Sequence, residues 1–350
     1  MAISQQNLAD QLEISQVTVC RALRGDRCVK PALRQRVISA AQRHGYPVAA
    51  RFRKNRVALQ HVVCSIVQVE PHRGSFDVFN MRLLSGIGQG VSEAGAELTN
   101  HNEVPWNWQD GAVGLAEWPR VVARRQVDGV VHLFGGDESL RPHYACPVPH
   151  VSIFCPVDDT SDVATVDNIG GARAIGDHLG ALGHRRVAFI GPITPLAQER
   201  LYGLRMGLHE HGGAIPDERV ARQLHASDAE NGASLLRALL PTDSTDPAAV
   251  RARFTAVAVY NDLMATGVVA ELTRRGLRVP QDISVTGFDN VPIDGYDGPP
   301  LTTVEMPIEA LGLEAARLLY WRIDFPKAPR RTLTLDMKFV KGGSTGEVGV

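Results

Sequence analysis

From Gln60 onward the chain alternates, twice over, between short β-branched apolar runs and longer stretches with helical spacing. No other feature constrains its fold as tightly. The run "HVVCSIVQV" reads as a strand buried on both faces. A helix over about Met81–Ala94, a strand at "AELTNH", a helix over Leu115–Arg125 and strands at "DGVVHLF" and "VPHVSIF" follow. A second round opens with a helix in "VDNIGGARAIGDHLGALGH" that ends near Gly183. It continues through "RRVAFIGP", "ERLYGLRMGLHEHG", "FTAVAVYND", "LMATGVVAELTRRG" and "DISVTGFDN". Two doubly wound α/β lobes of parallel sheet are expected, and such lobes bind ligands beyond the carboxyl ends of their strands. No glycine-rich dinucleotide or P-loop motif follows a strand, so a nucleotide-phosphate cradle is not indicated.

Those strand ends carry a consistent chemistry. Beyond the first lie Asp77 and Phe79, in "EPHRGSFDVFN". Beyond "FIGP" comes Arg200, expected on the first turn of a helix. "VYND" ends in Asn261 and Asp262, and "VTGFDN" in Asp289 and Asn290. An arginine, an amide and carboxylates drawn from separate strands suit a polyhydroxylated ligand. Taken singly, each Asp or Asn is equally well read as a cap for the next helix. Their recurrence at four strand ends favours binding.

The net charge of −1 conceals a division. Residues 1–56 hold eleven Lys and Arg against Asp10, Glu13 and Asp26, or +8, so the other 294 residues sum to −9. A small basic head on a larger acidic body points to a polyanionic partner for the head. Ser4 is placed to cap a helix reaching about Leu12, and Ser15 to cap one from Gln16 to Leu23. Pro31 suits the first turn of a third helix ending near His44, with Gly45 to stop it. Three short helices with a tight break between the first two make a helix-turn-helix unit. Its second helix has one apolar face for packing and one polar face for a DNA major groove. On that face Gln16 suits adenine, Val17 a thymine methyl, and Arg21 guanine or a phosphate. Ser15, Thr18 and Arg24 are placed to hold phosphates.

Composition narrows the class. The chain is 44% hydrophobic and 21% charged, as in globular proteins with sizeable cores. No apolar run approaches the ~18 residues of a membrane span, and "MAISQQNLADQ" lacks the features of a secretory signal, so a cytoplasmic protein without a membrane partner is expected. Five cysteines (Cys20, Cys28, Cys64, Cys146 and Cys155) show no CxxC pairing and read as free thiols. No His/Cys cluster has ligand spacing, and no histidine sits in a triad-like motif, so neither a metal, a cofactor nor an enzyme activity is expected.

The segment "NLADQLEISQVTVCRALRGDRCVKPALRQRVISAAQRHGY" resembles the head of the lactose-repressor/galactose-repressor (LacI/GalR) family of transcription regulators. The matching pieces are "LA", "S..TV.R.L.G" and "V....R.RV..AA...GY". The resemblance implies that Gln16, Val17 and Arg21 read bases. One departure is Glu13, which stands where the family has glycine in the turn; a left-handed conformation there costs roughly 1 kcal/mol. The family's linker folds on DNA and drives a leucine into the minor groove. Here "PVAARFRKNRVA" offers no leucine at that position. Phe52 is either a wedge or a cover for the domain boundary, while Arg51 and Arg53, with Lys54 and Arg56, suit phosphates.

The body resembles the same family's periplasmic-binding-protein-like effector domain. The shared pieces are "VDNIGGARAIGDHLGALGHRRVAFIGP", "ERLYGLRMGL", "YNDLMATGVVAELTRRGLRVPQDISVTGFDNVPI" and "PPLTTVEMPIEALGLEAARLL". The resemblance implies an effector-binding Arg200, a hydroxyl- or ring-binding Asn261 and Asp289, and a helix-capping role for Asp262. It also implies a structural rather than catalytic His184. Phe154 stands where an acidic residue often faces the ligand, and His225 and Ala226 stand near the usual stacking aromatic. Phe154, Phe79, Trp106 or Trp108 is then the source of the apolar surface. The implied protein is a homodimer on a palindromic operator, controlled by a small-molecule effector, a sugar or related polar metabolite. Its dimer surfaces lie on "NMRLLSGIGQGV" and around "RRGLRVPQDIS". The expected organisation is a DNA-binding domain over 1–46, a hinge over 47–59, a bilobal effector and dimerisation domain over 60–342 and a flexible tail over 343–350. The alternative is a solute-binding protein of a transport system, against which the basic head argues.

Overall fold

The computed structural model describes residues 5–23, 29–43, 61–67, 78–103, 127–133, 146, 148–224, 228–240 and 245–348. The chain divides into two compact units, 1–59 and 60–350. The linker over 47–59 with Arg51, Phe52 and Arg53, the helix expected over Leu115–Arg125, and Arg24, Asp77, Trp106, Trp108, His225 and Ala226 lie outside the described residues.

The first unit is the expected trio: α1 (Gln5–Leu12), α2 (Gln16–Leu23) and α3 (Pro31–Arg43). Leu8 and Ala9 of α1, Val19 and Ala22 of α2, and Val37, Ala40 and Ala41 of α3 close a small core, joined by Val29. The break between α1 and α2 is held by Ser15, whose hydroxyl accepts from Thr18 N at 3.1 Å and meets Thr18 Oγ1 at 2.8 Å. Glu13 carries the turn with φ of 55°. That is the left-handed region, where a Cβ crowds the following carbonyl. Glu13→Gly is expected to stabilise this unit by about 1 kcal/mol. Slower amide exchange in α1 and α2 is the readout, and unchanged exchange would refute it.

The second unit alternates as expected, with more elements than the sequence reading resolved. Its strands are β1 (His61–Val67), β2 (Glu97–Glu103), β3 (Gly129–Leu133), β4 (His150–Ile153), β5 (Asp162–Val166), β6 (Val187–Pro192), β7 (Val220–Gln223), β8 (Ala256–Val259), β9 (Ser284–Thr286), β10 (Thr303–Glu305), β11 (Thr332–Leu335) and β12 (Lys338–Val340). Its helices are α4 (Val78–Glu93), α5 (Asn168–Ala181), α6 (Pro195–Glu210), α7 (Ala229–Leu239), α8 (Pro247–Arg253), α9 (Asp262–Arg274) and α10 (Ile308–Asp324). One lobe is a parallel sheet ordered β11-β5-β4-β3-β1-β2; the other is β7-β6-β8-β9, also parallel. Every residue of β3, β4, β6 and β8 is buried, which explains their largely apolar character, broken by His132, His150 and Ser152.

Helices approach closely where glycine removes a side chain. A Cβ on Gly203 of α6 would collide with the Ile169 carbonyl oxygen of α5, and one on Gly312 of α10 with the Leu83 carbonyl oxygen of α4. The chain crosses between lobes three times, after β5, after β10 and after β11. The crossings are tied together. β10 and β12 pair antiparallel, with Val304 opposite Phe339, and Asp167 N donates to Leu335 O at 2.9 Å.

The tail expected to be flexible is instead packed over the stretch described. Ser344 is fully buried, accepts from Thr302 N at 2.8 Å and donates to Val285 O at 2.6 Å. Gly346 N donates to Ser284 Oγ at 3.1 Å, and Val348 N to Leu182 O at 3.0 Å. Glycine content suggested mobility, but these backbone and hydroxyl groups complete the hydrogen bonding beside β9. His184 belongs to the same junction. Its Nδ1 meets Thr255 Oγ1 at 2.8 Å, and its Nε2 meets Ser284 Oγ and Gly346 O, each at 3.1 Å. Burial pushes this imidazole down to about 4, so it is neutral and holds the turn.

Candidate functional site

In the first unit, α2 presents Gln16, Val17 and Arg21 to solvent while Val19 and Ala22 are buried. Val17 is 58% exposed. Ser15 and Thr18 are occupied with each other and the helix cap, so any phosphate contact by them comes through groups that already hold the turn.

In the second unit the structure brings Arg200 and Asp289 of the expected strand-end residues together. Thr194 caps α6 by accepting from Ala197 N, and Pro195 occupies the first helical position. The helix therefore starts earlier than expected, and Arg200 lies on its second turn, not its first. Arg200 is 3% exposed. Nε donates to Asn168 Oδ1 at 3.0 Å, Nη1 to Tyr260 O at 2.5 Å, and Nη2 lies 3.3 Å from Asp289 Oδ1. The plane lies over Phe288 at 3.8 Å and Tyr260 at 4.3 Å. The two hydrogen bonds use two of the five guanidinium N–H groups, and the contact with Asp289 is an ion pair. Asn168, Tyr260 and Phe288 were not singled out in the sequence. The signal for Asn168 was its place directly after the Asp167 cap, where β5 hands over to α5.

Asp289 follows β9 with φ of 102°, and Asn290 follows with φ of 54°. Non-glycine residues held there cost about 1–3 kcal/mol each and collect at functional sites. The Asp289 amide donates to Val304 O at 2.9 Å, so this carboxylate is fixed to the crossover strand β10. Burial pushes the Tyr260 phenol up, and Arg200, Asp289 and Cys155 of the other lobe all lie close enough to influence it.

The capping role expected of Asp262 falls to Asn261. Asn261 is the cap of α9, accepting from Met264 N at 2.8 Å. Asp262 is buried; it accepts from Thr303 Oγ1 of β10 at 2.7 Å and from Val291 N at 3.2 Å. Burial, with Asp289 nearby, pushes its carboxyl up to about 7. The sequence could not separate adjacent Asn and Asp, since either caps a helix well.

On the opposite lobe, α4 begins at Val78, so Phe79 sits on its first turn. Phe79 and Phe154 stack, with ring centroids 6.2 Å apart at 29°. Phe154 has φ of 72° just beyond β4, a second strained strand end. The chemistry is an aromatic pair on one lobe and a stacked, ion-paired arginine on the other. No group of three or more His, Cys, Asp or Glu among the described residues could hold a metal. No helix among them is long and apolar enough to cross a membrane.

Comparison with known proteins agrees with this architecture. Residues 176–345 match a family described as periplasmic binding protein-like domain. The chain is 27% identical over 354 residues to the HTH-type transcriptional repressor CytR of Escherichia coli strain K12, covering 98% of this chain and 96% of that protein. It is 31% identical over 318 residues to the HTH-type transcriptional regulator CelR of Thermobifida fusca, covering 87% of each. Among solved structures, a CelR–cellobiose complex superposes with a TM-score of 0.66 at 26% identity, covering 98% of this chain and 99% of that one. A lac repressor dimer bound to operator has the same fold, with a TM-score of 0.61 at 21% identity, covering 99% of this chain and 100% of that one. With a helix-turn-helix unit ahead of two doubly wound lobes, and likeness to CelR along most of both proteins, this chain belongs to the LacI family of transcriptional regulators.

Proposed function

We propose that this protein is a dimeric, sequence-specific DNA-binding repressor whose hold on a palindromic operator is set by a small polyhydroxylated effector, a sugar or related metabolite. The observation that carries this reading is the ion-paired Arg200 under Phe288 and Tyr260, at strand ends joined to the inter-lobe crossovers. The CelR relative is solved with cellobiose, and regulators of this family from Enterococcus faecium and Enterococcus faecalis with ribose. Sugar hydroxyls both donate and accept. They suit Asp289 as acceptor and the further N–H groups of Arg200 as donors, with Phe79 and Phe154 against the apolar faces of the ring.

The route to DNA follows from the same geometry. Asp289 and Asp262 are both bonded to β10, one through its amide and the other through its carboxylate. β10 pairs with β12, so two of the three crossovers move together. An effector that favours one lobe arrangement biases these strands, and its differential affinity for the two states sets the coupling. In the head, Gln16, Val17 and Arg21 read base edges, with Arg24, Arg51 and Arg53 on phosphates. A two-fold dimer supplies two such heads for half-sites about one helical turn apart.

Arg21→Ala tests the recognition face. DNA captured from the source genome by wild type is expected to share one palindrome, which the variant no longer prefers over random duplex. Unchanged selectivity would sink the assignment. Sedimentation of the wild type at micromolar concentration is expected to give a dimer, and a stable monomer would contradict the two-head reading.

A further inference from the structure

The body is acidic, yet one loop on it is not. Between α10 and β11 run Lys327, Arg330 and Arg331, all exposed, with Asp324 as the exposed acid beside them. The loop is built rather than trailing. Arg322 grips the fully buried Asp162 with Nε and Nη2, each at 2.7 Å. The same guanidinium donates to Ala328 O at 2.7 Å and Pro329 O at 3.1 Å, and Asp162 also accepts from Arg331 N at 2.6 Å. The Arg331 guanidinium lies 3.5 Å over the Trp321 ring, and Phe325 beside it is 48% exposed.

Position completes the argument. The six strands of this lobe are parallel, so their amino-terminal ends share one edge. The chain enters the unit at that edge through β1, and Arg330 and Arg331 precede β11 on the same edge. β11 lies four strands from β1 in the sheet order, a separation of about 19 Å at the usual strand spacing.

We propose that Lys327, Arg330 and Arg331, held by the Arg322–Asp162 anchor and the Trp321 ring, form a second contact for the DNA phosphate backbone, outside the helix-turn-helix head. The proposal rests on the DNA-binding reading and adds a surface to it. Duplex DNA carries about one negative charge per 1.7 Å, and cations that neutralise phosphates release counterions. The remaining 294 residues, at −9, repel that charge, so a local cationic edge is what lets the body approach it. Preordering by Asp162 and Trp321 lowers the entropy cost of the contact. One face of Trp321 is covered by Arg331, which favours backbone contact over base stacking.

The test uses the full-length protein and a random-sequence 40-base-pair duplex, titrated across a series of salt concentrations. Three proteins are compared: wild type, K327Q/R330Q, and R222Q/R253Q, which removes equal charge from the other lobe. The slope of log affinity against log salt is expected to become shallower by about 1 for each phosphate contact removed in K327Q/R330Q, and to stay unchanged in R222Q/R253Q. Equal slopes for wild type and K327Q/R330Q would overturn the second contact while leaving the head reading intact. An equal change in R222Q/R253Q would also overturn it, reducing the effect to net charge. Wild type that binds neither this duplex at the lowest salt nor the palindrome captured from the source genome would overturn the DNA-binding reading itself, and the second contact with it.

Discussion

Arg200→Ala is expected to abolish the response to effector and to destabilise the ligand-binding unit by about 3–5 kcal/mol. The large cost has a specific source. Arg200 is 3% exposed and Asp289 8%, so deleting the guanidinium leaves a carboxylate without its nearest opposite charge in a poorly solvated place. Asn168 Oδ1 and Tyr260 O lose their donor as well, and Phe288 and Tyr260 lose the plane between them. Denaturant unfolding measures the stability loss. Thermal shift with a panel of mono- and disaccharides measures the response. A variant that keeps a wild-type shift would refute the site. The double variant Arg200→Ala/Asp289→Ala separates the two effects. Removing both charges is expected to recover part of the stability, because the uncompensated charge is gone, while the effector response stays lost.

This site was partly legible in the sequence. Arg200 and Asp289 were visible because strand–helix alternation locates strand ends without knowing which strands pair. What stayed hidden depends on pairing. Arg200 is held by Asn168, on a helix entered from the other lobe, and no local pattern announces a contact between residues 32 positions apart. α6 starts well before Arg200 because Thr194 with Pro195 is a plain capping signal. The fold itself was legible where one face or both faces of an element are apolar, as in β3, β4 and α5. It was less so at the carboxyl end, where β11 has an alternating exposed and half-buried edge and β12 spans only Lys338–Val340. The packed tail over 343–348 escaped notice for a related reason. It is held by hydroxyls and backbone groups, which leave no hydrophobic period.

Asp262→Asn is expected to stabilise the protein by roughly 4 kcal/mol at pH 8, and to remove a pH dependence that runs against the usual direction for a carboxylate. An Asp paired with a cation is depressed and loses its contribution in acid. Asp262 is instead raised from 3.8 to about 7 by burial beside Asp289. Between those values the folded protein keeps a proton that the unfolded chain releases. Its contribution to stability is therefore complete below 3.8, falls as pH rises through the window, and is constant above about 7. An amide reproduces the protonated form without the titration. Its oxygen accepts from Val291 N while the Thr303 hydroxyl turns to accept from its NH2, so the hydrogen bonds to β10 and the loop survive. Other groups act oppositely. Glu271 is lowered to about 2 by Arg274 and Arg275, and Asp282 is lowered by Arg278, so each loses its contribution as pH falls. The total stability curve mixes both signs, and only the difference between wild type and variant isolates Asp262. That difference is expected to be small near pH 4, to grow steadily to about pH 7 and then to level off. Parallel curves would mean that Asp262 stays ionised in its pocket. In the expected case, the carboxyl that ties α9 to the crossover strand changes charge within the physiological range.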